Sequence, residues 1–255
     1  MSLISNINPV FLYILAAGFI ALLLYFRNVP FYSKGGTKGL DTFAIDLTAQ
    51  SKKGTIDPVV GRDDEIDRVT QILTRRTKNN VILMGPPGVG KTAVVEGLAN
   101  RIASGDVPEV LINKRVLLLQ VAELLAGTKY RGEFEQRIKD IVQEIKSNQR
   151  TIILFIDEIH TVTQTKGTEG AVNLSDILKP ALARGDLQLI GATTKKEYEA
   201  YIEPDESWDR RFQVVLIDEP TAKESIKILK GIKKKYEDFH HVTILDEAIV
   251  VAVRL

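Results

Sequence analysis

Hydrophobic and polar positions fall into blocks along this chain, and the blocks change character twice. From Val10 to Phe26 it reads VFLYILAAGFIALLLYF, seventeen residues without a charge. A helix of that length is about 25 Å long, at the short end of what crosses a bilayer. A buried helix of a soluble domain would show a polar face, and this stretch has none. A cleavable leader would begin with basic residues, which MSLISNINP lacks. The expectation is a retained single-pass membrane anchor over residues 1–27. Residues 28–56 then mix glycine, lysine and serine in SKGGTKG and SKKGT, a composition that suits a mobile linker.

After Asp57-Pro58 the pattern becomes periodic. Ile66, Val69 and Leu73 lie on one face of a helix starting near Asp63. Val81–Met84 is an apolar run stopped by Gly85-Pro86-Pro87-Gly88, which predicts a strand entering a loop, and a helix follows over 91–103 with Val94, Val95, Leu98 and Ile102 facing inward. Further apolar runs at 116–121, 151–156, 187–191 and 213–217 alternate with helical spacing at Phe134, Ile138, Ile141 and Ile145, and near 174–183. Strands that are apolar throughout are buried on both faces, as in a parallel sheet covered by helices. The predicted fold is doubly wound α/β. From Thr221 the chain turns helical, with Ile226, Leu229, Ile232 and Tyr236 as its apolar stripe, and another helix begins near Asp246.

Charge refines this picture. Of 34 bases, Arg27, Lys34 and Lys38 stand in the first forty residues with no acid beside them, which leaves 31 bases against 33 acids for the rest. Bases just after an apolar span predict a cytoplasmic side, so residues after the anchor are expected in the cytoplasm, at the inner membrane. The balanced remainder argues against nucleic acid as a partner. There is no cysteine, which excludes disulfides and thiolate chemistry, and His160, His240 and His241 are too few for a histidine metal cluster. Lys227, Lys230 and Lys233–Lys235 read as the solvated side of the last long helix, and His240 and His241 as structural.

Two segments carry chemistry. Gly85-Pro86-Pro87-Gly88-Val89-Gly90-Lys91-Thr92 fits the phosphate-binding pattern G-x-x-x-x-G-K-[ST], between a predicted strand and a predicted helix. Its glycines let backbone N–H groups wrap phosphates, Lys91 would reach the β- and γ-phosphates, and Thr92 would ligate Mg²⁺. The apolar run 152–156 ends in Asp157-Glu158, which places Asp157 at the sheet edge for Mg²⁺ and Glu158 beside it to polarise a water. The pair identifies a P-loop nucleoside triphosphatase. No G-x-G-x-x-G follows the first strand and no H-E-x-x-H occurs, so neither a dinucleotide oxidoreductase nor a one-chain zinc protease is supported.

Several collinear stretches strengthen this reading: DPVVGRDDEIDRVTQILTRRTKNN (57–80), GDVPEVL (105–111), GTKYRGEFEQR (127–137), FIDEIHT (155–161), LKPALARGDL (178–187), GATTKKEY (191–198) and RRFQ (210–213). Over residues 57–255 the chain resembles the first AAA+ module of the Clp-type unfoldases, the ClpB, ClpC and ClpA group. The resemblance implies a large ATPase domain over 57–220 and the start of a small helical lid over 221–255. It implies that Thr194 is the sensor that helps orient the attacking water, and that Arg210 and Arg211 are arginine fingers reaching a neighbour's nucleotide. It further implies that Lys129, Tyr130, Arg131 and Gly132 form a pore loop whose aromatic ring grips a translocated polypeptide, that Thr163–Ser175 is a second pore-facing loop, and that Val59, Val60 and Gly61 frame the adenine. Its partners would be a homo-hexameric ring and unfolded or aggregated polypeptide, with docking of a separate peptidase left open. Relative to that family the N-terminal substrate-binding domain is replaced by the anchor, and the lid stops early, as in a fragment of a longer protein. The implied function is ATP-driven protein remodelling. The alternative is an ATP-dependent assembly or regulatory module that forms rings without translocating substrate, and the two part at Tyr130.

Overall fold

The computed structural model describes residues 38–126, 131–148, 150–164 and 174–255, all within the compact unit Gly35–Leu255. The predicted anchor, Lys129 and Tyr130, and residues 165–173 lie outside the described residues. Among the described residues no helix is long and apolar enough to cross a membrane.

The described chain opens with helix α1 (Lys38–Phe43), strand β1 (Ala44–Asp46) and helix α2 (Leu47–Lys52). Helix α3 (Asp63–Leu73) and strand β2 (Asn80–Met84) lead to α4 (Lys91–Ser104). Next come β3 (Arg115–Leu119), α5 (Val121–Leu125), α6 (Arg131–Ser147), β4 (Ile152–Ile156), α7 (His160–Gln164) and α8 (Leu174–Arg184). Strand β5 (Gln188–Thr193), α9 (Lys195–Tyr201), α10 (Glu206–Asp209) and β6 (Phe212–Leu216) complete the sheet, before α11 (Ala222–His240) and α12 (Asp246–Arg254). Strand order is β1-β3-β4-β5-β2-β6, parallel throughout except for β1 at one edge.

Alternate side chains of each strand enter opposite layers, as the pleat requires. Ile152, Leu154 and Ile156 of β4 join the core under α6 and α8, while Ile153 and Phe155 join the core under α3 and α4. Both cores are closed over β4, which is why this strand carries no polar position. The end of the predicted strand at 116–121 is corrected: β3 stops at Leu119 and Val121 already begins α5.

The linker expected over 28–56 is corrected for its second half. Residues 38–53 fold onto the sheet edge, with Leu40 and Leu47 buried. The Glu144 carboxylate accepts the N–H groups of Gly39 and Leu40, each at 2.9 Å. Arg115 bonds Asp46 at 2.7 Å and Asp41 at 3.1 Å, and the Thr48 hydroxyl accepts the Val116 N–H at 2.9 Å. The glycines and lysines of this stretch conceal a short apolar series, Leu40, Phe43, Ile45 and Leu47, whose partners lie far along the chain.

At the end of the sheet where β3, β4 and β5 begin, Lys114 is buried without a carboxylate partner among the described residues. Its ammonium donates to the Arg150 carbonyl at 2.8 Å and to the Gln188 side-chain oxygen, and Gln188 in turn donates to the Leu73 carbonyl at 2.8 Å. Burial, and then the nearby Arg150 charge, pull Lys114 down from its ordinary 10.5 to about 8. Between those values the unfolded chain holds a proton that the folded chain has released, so the Lys114 contribution to stability rises with pH across that window. Urea unfolding of wild type and Lys114→Met at about pH 7.5 and about pH 9.5 should show wild type gaining on the variant at the higher pH. An unchanged gap would mean that Lys114 titrates as an ordinary lysine.

Candidate functional site

The site forms where β2, β4 and β5 end side by side. The loop after β2 needs glycine for two separate reasons. At Gly88 (φ 78°) and Gly90 (φ 96°) the backbone enters the left-handed region that L side chains disfavour, which turns successive N–H groups inward. At Gly85 the constraint is contact: a Cβ there would lie 2.1 Å from the Ile217 carbonyl oxygen. The Gly85 N–H donates to the Thr193 carbonyl at 3.2 Å, so the loop is fastened to β5.

Lys91 and Thr92 begin α4 directly after this loop. The Lys91 ammonium donates to the Gly85 and Pro86 carbonyls at 3.0 and 2.8 Å, folded along the loop that it would leave for a phosphate. Thr92 Oγ1 lies 3.4 Å from Asp157 Oδ2, so the predicted hydroxyl and carboxylate do meet, 65 residues apart in sequence. A hydroxyl and a carboxylate are the hard oxygen donors that Mg²⁺ takes. Glu158 follows in a left-handed turn (φ 48°), with its N–H on Asp157 Oδ1 at 2.9 Å.

Thr194 and Glu197 line the same cleft as the glycine loop, Asp157 and Glu158. Thr194 follows β5 and caps α9 in a reciprocal capping box with Glu197. The Thr194-x-x-Glu197 spacing shows that cap in the sequence. The role of Glu197 as a wall of the cleft is not visible there.

Val59 and Val60 sit between the large domain and the last helices. A Cβ on Gly97 of α4 would lie 3.3 Å from Val59 Cγ1, and one on Gly231 of α11 would lie 2.4 Å from Val60 Cγ2. The segment expected beside the adenine is therefore clasped between α4 and the first lid helix. Arg62, which sequence reasoning passed over, is buried there. Its guanidinium donates to the Val89 carbonyl at 2.6 Å, the Asp218 carbonyl at 2.9 Å and Glu65 at 2.6 Å. One side chain thus joins the entry segment, the glycine loop and the turn into the lid. The lysines of α11 are largely paired with acids, Lys230 and Lys233 with Asp246, Lys234 with Asp238 and Lys235 with Asp57, which fits a solvated face. His241 ends α11 in a left-handed cap (φ 55°).

Arg210 and Arg211 do not line the cleft that holds Lys91 and Glu158. They follow α10, beside a separate hollow bordered by Tyr201, Asp205 and Arg210. The structure distinguishes them where the sequence could not. Arg211 donates to the Ala183 carbonyl at 3.2 Å and its own carbonyl accepts from Asn80, whereas Arg210 is exposed. Of the pore loop, Arg131 and Gly132 are the first residues of α6. The two ends of the second predicted loop are packed inward: Thr163 donates to the His160 carbonyl at 2.8 Å, and buried Ser175 accepts the Trp208 indole N–H at 3.0 Å.

A parallel sheet with a glycine loop after one strand, and a paired acid after another, is the framework of a P-loop ATPase. Residues 81–219 match the family model for the ATPase family associated with various cellular activities (AAA), and residues 221–255 match the AAA lid domain. The chain belongs to the AAA ATPase family, in its Clp-type branch. It is 55% identical over 223 residues to Chaperone protein ClpB of Bacteroides thetaiotaomicron, covering 88% of this chain and 26% of that protein. It is 53% identical over 229 residues to the ATP-dependent Clp protease ATP-binding subunit ClpC of Staphylococcus saprophyticus, covering 90% of this chain and 28% of that protein. A solved structure of Hsp104 with ATPγS and FITC casein superposes with a TM-score of 0.78 at 45% identity, covering 85% of this chain and 37% of that one. An extended S. cerevisiae Hsp104–casein complex superposes at 0.77. The chain therefore spans about a quarter of the length of the curated relatives it matches.

Proposed function

We propose that this chain is the ATP-hydrolysing module of a ring-forming protein remodeller that is held at the cytoplasmic membrane and acts on unfolded or aggregated polypeptide. The observation that carries this reading is the meeting of Lys91, Thr92, Asp157, Glu158 and Thr194 around one cleft while the Arg210–Arg211 turn stands apart from it. Thr92 and Asp157 would hold Mg²⁺, which neutralises charge on the β- and γ-phosphates. Lys91 would exchange its loop carbonyls for phosphate oxygens, and Val59 and Val60 would flank the base. Glu158 would accept a hydrogen from the attacking water, with Thr194 helping to fix that water.

An arginine that does not line its own cleft suits service to a neighbour. A guanidinium fork stabilises charge growing on the transferred phosphoryl group, and each subunit of a homo-hexamer would complete the next. Hsp104 was solved with casein, and this supports a polypeptide substrate here. Membrane tethering rests on the uncharged run Val10–Phe26 with Arg27, Lys34 and Lys38 behind it, which would make the protein single-pass with the ATPase inside. Residues 57–220 would form the large ATPase domain and 221–255 the start of its lid.

Tyr130 provides the test. An aromatic ring can contact many backbones without reading sequence. In the full-length assembled protein, Tyr130→Ala is expected to keep ATP turnover and lose threading of an unfolded fluorescent reporter. Threading at the wild-type rate would overturn translocation and favour an assembly module.

A further inference from the structure

We propose that Glu197 is a positioning residue for hydrolysis: it takes the Thr194 hydroxyl hydrogen, so that Thr194 presents a hydrogen-bond acceptor to the cleft. This inference rests on the ATPase reading of the site and extends it to a residue to which no role has been given.

The geometry centres on one atom. Glu197 Oε2 accepts from Thr194 Oγ1 at 2.8 Å, from the Thr194 N–H at 3.1 Å and from Thr193 Oγ1 at 3.2 Å. His160 Nδ1 lies 3.2 Å from the same oxygen and 3.2 Å from Thr193 Oγ1. Helix capping explains only the bonds to Thr194. Thr193 and His160 are both buried, at 2% and 7% exposure, and neither is needed to start α9.

These additional partners belong to the chemical motifs. The Thr193 carbonyl accepts the Gly85 N–H of the phosphate loop. His160 stands two residues after Glu158, and the Glu158 carbonyl accepts the Thr161 N–H at 2.9 Å. Glu197 is thus bonded both to the end of β5, which fastens the glycine loop, and to the first residue of α7, just after Asp157-Glu158.

The polarity follows from counting donors. Burial alone would raise the Glu197 carboxyl, but the bonds from Thr194, the His160 ring and the Thr193 hydroxyl hold it below the ordinary glutamate range. An ionised carboxylate only accepts, so both threonine hydroxyls direct their hydrogens to it. His160 Nδ1 then faces two acceptors and must carry a hydrogen itself. Thr194 Oγ1 also accepts the Glu197 N–H at 3.3 Å, which leaves one lone pair for the cleft. A water whose two hydrogens go to Glu158 and Thr194 has a lone pair free for phosphorus. A Thr194 hydroxyl free to rotate would instead donate to that water, taking one of its two lone pairs and leaving its second hydrogen unheld, so that the attacking pair is no longer aimed from both sides.

Glutamine separates this role from capping, because it serves in a capping box as glutamate does while its amide can donate to Thr194. In the full-length assembled protein, Glu197→Gln is expected to melt with wild type and to bind a fluorescent ATP analogue within about twofold, while kcat falls about 10-fold or more, as for a mispositioned reactant. Glu197→Asp keeps the charge and should recover part of that loss. In a double-mutant cycle with Thr194→Val, the second substitution should cost much less than it does alone. A kcat within about twofold of wild type in Glu197→Gln overturns the proposal, as does a loss that tracks ATP affinity or folded fraction, or an additive cycle. Wild-type protein that fails to hydrolyse ATP, or a Glu158→Gln variant that hydrolyses normally, would instead remove the ATPase reading and this inference with it.

Discussion

Glu158→Gln is expected to reduce ATP turnover by about 100-fold or more while leaving ATP bound, since general-base assistance is typically worth 10²–10⁴-fold. The amide keeps the size of the side chain and removes its capacity to take a proton. Nothing that holds phosphate changes, because Lys91, Thr92 and the glycine loop are supplied by β2 and α4. The left-handed turn at Glu158 matters here. With φ 48° and its N–H on Asp157 Oδ1, the backbone fixes the direction of the side chain independently of its charge. The variant should therefore trap an ATP-bound state that assembles and holds substrate, read as ATP retained after gel filtration together with lost phosphate release. Wild-type turnover would remove Glu158 from the mechanism.

Trp208→Ala should produce the largest loss of stability. The indole is fully buried, stacks on Phe212 at 5.4 Å and donates to Ser175. Truncating a buried aromatic to alanine typically costs about 3–5 kcal/mol, a large share of the total for one domain. Here the cavity would open two residues before Arg210. Tyr198 bonds Asp209 at 2.5 Å and Lys179 pairs with Asp205 at 2.8 Å, so α10 is held from both ends while Trp208 fills its centre. Urea unfolding should show the drop, and the residual ATPase of assembled variant should fall further than its folded fraction, because the arginine turn loosens. Trp208→Phe keeps the stack and gives up the bond to Ser175, a loss of about 1 kcal/mol. Equal stability of Trp208→Ala and wild type would show that the turn is supported elsewhere.

The parallel strands were legible from unbroken apolar runs such as Ile152–Ile156, which is buried on both faces; edge strand β6 shows the same kind of run although Val214 and Leu216 are exposed. Strand β1 was not legible. It has three residues, and its surroundings are set by Glu144, Arg115 and Val116, which no local window includes. The same distinction holds in the cleft. The glycine loop and Asp157-Glu158 are contiguous and declare their chemistry through residue type and spacing. Glu197 declares only its cap, since its other partners, Thr193 and His160, come from β5 and from the start of α7. Arg210 and Arg211 are alike as letters. They differ because Arg211 lies against the Ala183 carbonyl and Arg210 does not.

The buried fork of Arg62 carries a consequence for energy transfer in both directions. Its bonds to the Val89 and Asp218 carbonyls put the phosphate loop and the root of the lid on one rigid group. Coupling between two sites is reciprocal: whatever factor ATP contributes to the lid's preferred angle, force or binding on the lid returns to ATP affinity. A neighbouring subunit that leans on α11 would thereby set how tightly this cleft keeps its nucleotide, and a ring of such modules could pass on the order in which they fire without any nucleotide leaving its site.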